Sequence, residues 1–361
     1  MKVLVGLSGG VDSSVTVLML KEEGYEVIGA TMSIWGKDGV YKKIAEKMPH
    51  KSHGACLGPS EKEDIEVARE VAKSIGIDFY VFDCAKQYEE IVLKNFKEEY
   101  LSGRTPNPCV WCNALIKFDL LPSLAKANGI EFDKFATGHY ARIEQDESGE
   151  YILKCAKDRK KDQSYFLYRL KKEQLSKIIL PLGSYTKEEI RKYALQKGLK
   201  VADKPDSQDF YEGDYNELLQ VEEKEGNIVD EKGNILGKHK GIWNYTTGQR
   251  KGLGVSSSVP LYVLELRKNT NEVVVGEKCS NMKSGLIANQ LNNLSVPRLP
   301  FECQAKIRSS QIPQKVMVSY CSFDKIKVEF ENLQSSISLG QSVVLYDGDI
   351  VLGGGIIDEV Y

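Results

Sequence analysis

The sequence predicts an α/β protein in which an N-terminal doubly wound parallel sheet is followed by a β-rich second half of small β domains or a barrel. Three observations predict it. Val3-Leu4-Val5-Gly6-Leu7 is an apolar run broken by Ser8-Gly9-Gly10, and Val15, Leu18 and Met19 follow at helical spacing. A second strand, Glu26 to Ile34, comes so soon after that helix that a parallel β–α–β unit is the favoured connection. From Val229 onward helical periodicity yields to short β-rich runs separated by Gly, Asn and Asp, among them Leu261 to Leu266, Glu272 to Val275, Val316 to Tyr320 and Ile326 to Phe330.

The first element carries the chemistry. A strand, a glycine turn and a helix start leave backbone N–H groups without partners, and these form an anion site. Ser8 and Ser13 add hydroxyl donors, and Asp12 is placed to hold a magnesium ion against phosphate charge. The string Ser8-Gly9-Gly10-Val11-Asp12-Ser13 resembles the pyrophosphate loop of the PP-loop ATPases, which cleave ATP to AMP and pyrophosphate. That resemblance implies ATP contacts from Gly6, Leu7, Ser8, Gly9, Gly10, Val11, Asp12 and Ser13, with Met32 beside the adenine at the end of strand two. The G-x-x-x-x-G-K-[ST] string of γ-phosphate-cleaving enzymes is nowhere in the chain.

Next in order is a polar Gly/Pro-punctuated stretch from Gly36 to Pro59, predicted as a loop carrying His50, His53 and Cys56. Ser60 to Ile75 reads as a helix with Ser60 and Glu63 as a capping box. Phe79 to Phe82 is a strand, and Lys86 to Leu101 a helix. In Arg104-Thr105-Pro106-Asn107-Pro108-Cys109-Val110-Trp111-Cys112-Asn113 the two prolines oppose regular helix, so both thiols are expected on or beside a loop. A helix from Ala114 to Asn128 follows. The strand Lys134 to Thr137 then runs into Gly138-His139-Tyr140-Ala141 at the sheet edge where ligands of doubly wound folds bind. Lys154 to Lys172 is basic, with Tyr165, Phe166 and Tyr168 interleaved: a solvated helix face or a nucleic-acid contact. A helix from Lys187 to Lys197 precedes a shift in composition near Glu212, and domain boundaries are expected near residues 210 and 282.

With 361 residues there is room for two or three domains, and 28% charged against 42% hydrophobic residues describes a globular chain. No apolar run is long enough for a membrane span, and Met1-Lys2-Val3 leads into a strand without a signal-peptide pattern, so a cytoplasmic protein is expected. Eight cysteines scattered over the chain read as thiols. A net charge of −2 excludes global attraction to nucleic acid and leaves room for a local basic face.

Six strings in order carry a fuller resemblance: residues 8–13; Thr105 to Cys109 with Cys112-Asn113; Ala136-Thr137-Gly138-His139-Tyr140-Ala141; Lys161-Asp162-Gln163-Ser164-Tyr165-Phe166-Leu167; Tyr245-Thr246-Thr247-Gly248-Gln249-Arg250-Lys251-Gly252; and Leu352-Gly353-Gly354-Gly355. Together they resemble the tRNA-specific 2-thiouridylases of the PP-loop superfamily. The resemblance implies an adenine-nucleotide-hydrolase-like catalytic domain over 1–210, a small central domain over 211–282 and a C-terminal β-barrel touching tRNA over 283–361. It implies adenylation of O2 of the wobble uridine (position 34), attack by sulfur carried as a persulfide, and a cysteine desulfurase or sulfur-relay partner. Residue by residue, Cys112 maps to the nucleophile and Gly138 to an ATP contact. Asn107, Pro108, Cys109, His139, Lys161, Asp162, Gln163, Arg308 and Gln341 map to tRNA contacts, while Ser309 stands where the pattern has tyrosine.

One departure is larger. After Asp206-Ser207-Gln208 many members carry a second cysteine, and here Asp209-Phe210-Tyr211 has none, with Tyr211 near its place. Cys56 and Cys109 are the candidates to fill the gap. Cys109-x-x-Cys112 suits persulfide–disulfide exchange or metal ligation. Cys56, Cys109 and Cys112 together suit a [4Fe–4S] cluster with one open iron; zinc on these three plus His53, or no metal, are the alternatives. The remaining cysteines, Cys84, Cys155, Cys279, Cys303 and Cys321, are expected to be packing residues. A rival function is a PP-loop ligase or amidase acting on a small metabolite through an acyl-adenylate.

Overall fold

The computed structural model describes residues 1–35, 44, 55–58, 60–202, 204, 209–211 and 213–361, the side chains of 55–57 and 209 excepted. Two compact units share the chain. The first holds Met1–Val92, Cys109–Asp214 and Asp349–Val351; the second holds Leu93–Pro108, Tyr215–Gly348 and Leu352–Tyr361.

In the first unit β1 (Lys2–Gly6), β2 (Glu26–Ser33), β4 (Phe79–Asp83), β5 (Lys134–Thr137) and β8 (Ile178–Ile179) form a five-stranded sheet in the order β4-β2-β1-β5-β8. Every pairing in it is parallel, with Val5 opposite both Gly29 and Ala136. Val3, Leu4 and Val5 have no exposed surface, as a central parallel strand covered on both faces requires. Helix α1 (Val11–Glu22) is buried on two sides: Val17 and Leu20 pack with α2 (Glu61–Ile75), and Val15 and Met19 with Tyr140 and with Ile190 and Ala194 of α5 (Lys187–Gln196). The short strands β3 (Ala55–Leu57) and β9 (Asp209–Tyr211) pair in parallel, Leu57 opposite Tyr211. A hairpin of β6 (Ala141–Gln145) and β7 (Tyr151–Cys155) belongs to the same unit.

In the second unit β10 (Gly226–Val229), β11 (Ile235–His239), β12 (Tyr262–Arg267) and β13 (Glu272–Gly276) form a four-stranded sheet, order β11-β10-β13-β12. The last six strands are β14 (Met282–Asn293), β15 (Phe301–Lys306), β16 (Gln314–Ser322), β17 (Lys325–Ser335), β18 (Ser342–Asp347) and β19 (Ile350–Val360). They run in the order β14-β17-β16-β15-β18-β19 and close into a barrel through β14–β19 pairing. Alternation is clear on β16, where Val316 and Val318 are buried and Met317 is exposed. The Gly353–Gly355 string belongs to this closure: a Cβ on Gly355 would lie 2.7 Å from the Asn289 carbonyl, and Gly353 at φ +147 leaves 2.2 Å to that of Asn292.

The α/β class, the parallel sheet and the β-rich second half hold. Four local expectations are corrected. Ser60 caps no backbone N–H and donates instead to Asp64, 3.1 Å away, so there is no capping box with Glu63. Cys109 and Cys112 lie in a helix, not a loop, because Pro108 occupies the first turn, where its missing N–H costs nothing: α3 (Pro108–Trp111) continues as a π-helical stretch, Cys112–Leu120, into α4 (Leu121–Ala127). Cys56 belongs to strand β3. The basic stretch after Lys154 is no helix face but the end of β7, a turn and a 3-10 turn at Ser164–Phe166, with Tyr165 and Tyr168 in the core.

Candidate active site

At the end of β1 the chain turns through Ser8-Gly9-Gly10 into α1, with Gly10 as N-cap and no side chain capping it. Gly9, at φ +75, presses on α2: a Cβ there would lie 2.6 Å from the Asp64 carbonyl. The loop is braced from within. The Ser8 N–H donates to Ser13 Oγ (3.2 Å), and the Ser13 and Ser14 hydroxyls donate to the Gly10 carbonyl (3.2 and 2.8 Å). Gly138, at the end of β5, sits against the first turn of α1, where a Cβ would lie 2.8 Å from Asp12 C and 2.9 Å from Ser13 N. Residues 6–13 and Gly138 thus meet at one uncapped helix start, the anion-binding arrangement.

Met32 is half-buried opposite Phe82. The strand end beyond it is pinned by Glu61, whose carboxylate accepts from Ser33 Oγ (3.0 Å) and from the N–H groups of Ile34 (2.5 Å) and Trp35 (3.3 Å). Burial pushes the Glu61 carboxyl above its ordinary value.

Three residues to which the motifs assign no role close on the loop. Lys187 Nζ donates to both oxygens of Asp12, at 2.7 and 2.8 Å, and Tyr140 Oη donates to Asp12 Oδ1 at 2.8 Å. Lys204 Nζ donates to the Gly9 carbonyl (3.3 Å) and pairs with Asp64 (2.6 Å). Asp12 was expected to hold magnesium, yet both its oxygens already accept from a lysine. No pattern in the chain announced Lys187, which lies 175 residues from its partner. Tyr140 sits inside the Thr-Gly-His-Tyr string and was findable there.

The thiols of Cys109 and Cys112 are half-buried, three residues apart on the helix that Pro108 opens. Trp111, between them, has the Arg169 guanidinium stacked 4.4 Å over its ring. Cys84 is wholly buried at the end of β4, and burial first, then the charges of Asp83, Cys112 and Glu61, push its thiol up to about 12. It is a packing residue as expected, one within electrostatic reach of Cys112. Cys155 is buried too, whereas Cys279 and Cys321 are exposed, which corrects their assignment to the core. Among the described residues no three His, Cys, Asp or Glu side chains are grouped to hold a metal ion. The Cys56 side chain, His50, His53 and residues 205–208 lie outside the described residues.

His139 sits beside Phe118 (ring centroids 5.5 Å apart), its Nδ1 2.7 Å from the Thr137 hydroxyl. Burial, with the Lys117 charge adding to it, holds the imidazole well below its ordinary 6.5, so it is neutral. Gln163 clasps Tyr140: its side-chain oxygen accepts the Tyr140 N–H and its own N–H reaches the Tyr140 carbonyl, both at 2.8 Å. Asp162 is buried and accepts the N–H groups of Ala156 (3.0 Å) and Ser164 (3.3 Å). Lys161 is half-exposed beside them. Within the second unit Asn107 Nδ2 donates to Gln341 Oε1 (3.3 Å), and Gln341 Nε2 to the Pro106 carbonyl (2.8 Å). Arg308 is exposed and donates to the Ser335 carbonyl (3.1 Å), with Ser309 next to it half-exposed.

Comparison with known proteins bears on this arrangement. Residues 1–211 match the family model described as tRNA methyl transferase HUP domain, 218–277 its PRC-barrel domain, and 283–357 an aminomethyltransferase beta-barrel domain. A tRNA-specific 2-thiouridylase MnmA of Endomicrobium trichonymphae is 50% identical over 99% of both chains. The chain belongs to the tRNA-specific 2-thiouridylase family. Family members from Clostridioides difficile (strain 630) and Carboxydothermus hydrogenoformans are each 46% identical over 99% of this chain and 98% of their own. The likeness to the 2-thiouridylases therefore runs through the β-rich half as well as the loop-bearing one. A solved structure described as a predicted subunit of tRNA methyltransferase from Methanocaldococcus jannaschii is 19% identical over 54% of this chain, with a TM-score of 0.31, too distant to build on.

Proposed function

We propose that this protein is a tRNA-uridine 2-sulfurtransferase that uses ATP, taken as its magnesium complex, to replace O2 of the wobble uridine with sulfur. The observation that carries it is the braced, uncapped helix start at residues 8–14 in the same compact unit as the Cys109/Cys112 helix, in a chain half identical to a named 2-thiouridylase. The uridine O2 attacks the α-phosphate and pyrophosphate leaves; sulfur then attacks C2 and AMP leaves with the oxygen. A urea-like oxygen is a poor leaving group until it carries AMP, which is the reason for the ATP.

Cys112 is the thiol that receives a sulfane sulfur from a cysteine desulfurase or relay protein. The terminal sulfur of that persulfide bonds to C2, and Cys109, one helical turn away, attacks Cys112 Sγ. The S–S bond breaks, its electron pair leaves with the uridine sulfur, and the Cys109–Cys112 disulfide awaits a thiol reductant. Gly138 and residues 6–13 hold the nucleotide with Met32 beside its base. The tRNA contact falls to the segments of Asn107, Pro108, Cys109, His139, Lys161, Asp162, Gln163, Arg308, Ser309 and Gln341, where the buried Asn107 and Asp162 and the Tyr140-bound Gln163 act by shaping the backbone, in a cytoplasmic enzyme whose domains divide at about 210 and 282.

A second sulfur route, exclusive of the persulfide one because it engages both thiols as iron ligands, uses a cofactor. The pairing of β3 with β9 brings the Cys56 backbone alongside the Asp209–Tyr211 strand, the place of the missing cysteine. Cys56, Cys109 and Cys112 would hold a [4Fe–4S] cluster that presents sulfide at its open iron. Iron, sulfide and absorbance assays on anaerobically purified protein test it, with zinc or no metal as the refuting outcomes. Ligation or amidation of a small metabolite is not favoured, the named relatives being tRNA enzymes.

The decisive experiment is mass spectrometry of tRNA nucleosides after incubation with ATP and a persulfide donor, where 2-thiouridine is expected. Cys112→Ser should abolish the product while leaving ATP binding within about twofold. AMP formation that ignores tRNA would refute the assignment.

A further inference from the structure

The Asp12 carboxylate stands at the mouth of an anion site, where an uncompensated negative charge would repel the phosphates that the loop is built to hold. The structure resolves that conflict. Lys187 enters at the N-terminus of α5, its side chain only 10% exposed, and its ammonium reaches both Asp12 oxygens at 2.7 and 2.8 Å. The Tyr140 hydroxyl adds a third donor at 2.8 Å on Oδ1, and the Lys187 ammonium lies 5.7 Å over the Tyr140 ring. The lysine is itself anchored: α5 begins with a Thr186–Glu189 capping box, and the Lys187 N–H donates to Asp158 Oδ2 at 3.0 Å. Tyr140 is fixed by its two bonds to Gln163.

We propose that Lys187 is a positioning residue of the pyrophosphate loop, its ammonium occupying the place a metal ligated by Asp12 would take. Asp12 then meets the nucleotide as part of a neutral Tyr140–Asp12–Lys187 cluster, and magnesium arrives on the phosphates without a ligand from Asp12. This rests on the ATP-using reading above.

Binding of an α,β-methylene ATP analogue and of Mn²⁺ alone, by calorimetry and by EPR, tests it on the full chain. Wild type should show no nucleotide-free Mn²⁺ site that depends on Asp12. Lys187→Met should gain one, weaken the analogue about tenfold or more, and raise the ATP KM while the tRNA KM stays within about twofold. Lys187→Arg should restore most of the analogue affinity. The charge-balanced Asp12→Asn/Lys187→Met protein should lose the Mn²⁺ site and bind the analogue better than Lys187→Met, which also separates the effect from misfolding. A wild-type Mn²⁺ site abolished by Asp12→Asn would overturn the proposal, as would Lys187→Met binding the analogue as wild type does. A wild type that binds the analogue but forms no 2-thiouridine would instead sink the sulfur-transfer reading alone.

Discussion

Gly138 shows how little room one residue has at this site. Replacing it with alanine puts a methyl 2.8 Å from the Asp12 backbone, and neither β5 nor the first turn of α1 is a flexible side-chain end that can yield. Gly138→Ala should weaken ATP-analogue binding at least about tenfold and cost ~1–3 kcal/mol of stability, measured by calorimetry and urea unfolding. His139, beside it, gives a pH signature. The folded state holds its imidazole neutral well below 6.5, so the unfolded chain binds a proton that the folded chain refuses. Its contribution is present above about pH 6.5 and is lost as pH falls below that value. Melting temperatures between pH 7.5 and 5.5 should therefore fall less steeply for His139→Gln than for wild type. At this scale the motif residues were legible because each carries a local backbone demand. Lys187 was not: nothing near it in the chain records a partner 175 residues away.

The helix that opens at Pro108 is where sequence reasoning went wrong and then became informative. A proline forbids helix only where its N–H is needed, and in the first turn it is not. Both thiols consequently sit on one rigid element, where a three-residue spacing keeps them neighbours. If Cys109 resolves the mixed disulfide, Cys109→Ser should accumulate a covalent Cys112–tRNA adduct and release 2-thiouridine only when a thiol reductant is added, read by nucleoside analysis with and without the reductant. Free 2-thiouridine formed at the wild-type rate without reductant would remove Cys109 from that role. The preceding segment is tied down differently. Arg104 pairs with Glu99 (2.7 Å) and Asp358 (3.2 Å), all about four-fifths buried, and donates to the Ile357 carbonyl (3.1 Å). Arg104→Ala removes the cation paired with Glu99, while Asp358 keeps Lys325 at 2.8 Å, and should cost ~1–3 kcal/mol in urea unfolding. The aromatics of the basic stretch were misjudged for a related reason. Tyr165 and Tyr168 are among the largest fully buried side chains, and interleaving with lysines says nothing about which way a turn faces.

Across the whole molecule a net charge of −2 means that any RNA affinity must come from local basic faces. For contacts that neutralise about three or four phosphates, raising salt from 50 to 200 mM should weaken tRNA binding roughly 40- to 150-fold. Filter binding across that range, with the ATP analogue as an internal comparison, measures the slope; a flat response would remove the basic segment from the interface.

The bond between Asn107 and Gln341 has a consequence for biosynthesis. Thr105 donates to the Leu339 carbonyl in the same place, so the stretch just ahead of the thiols is completed by the end of the last domain. The two partners are 234 residues apart, and a ribosome adding about 5–20 residues per second needs ~12–47 s to cover that distance. Through that interval the nascent chain carries two cysteines whose flanking segment cannot yet be in its final form. A message truncated before Leu339 would release protein whose stretch 105–107 lacks these partners, so loss of residues 339–341 should disturb sulfur chemistry encoded a hundred residues into the chain.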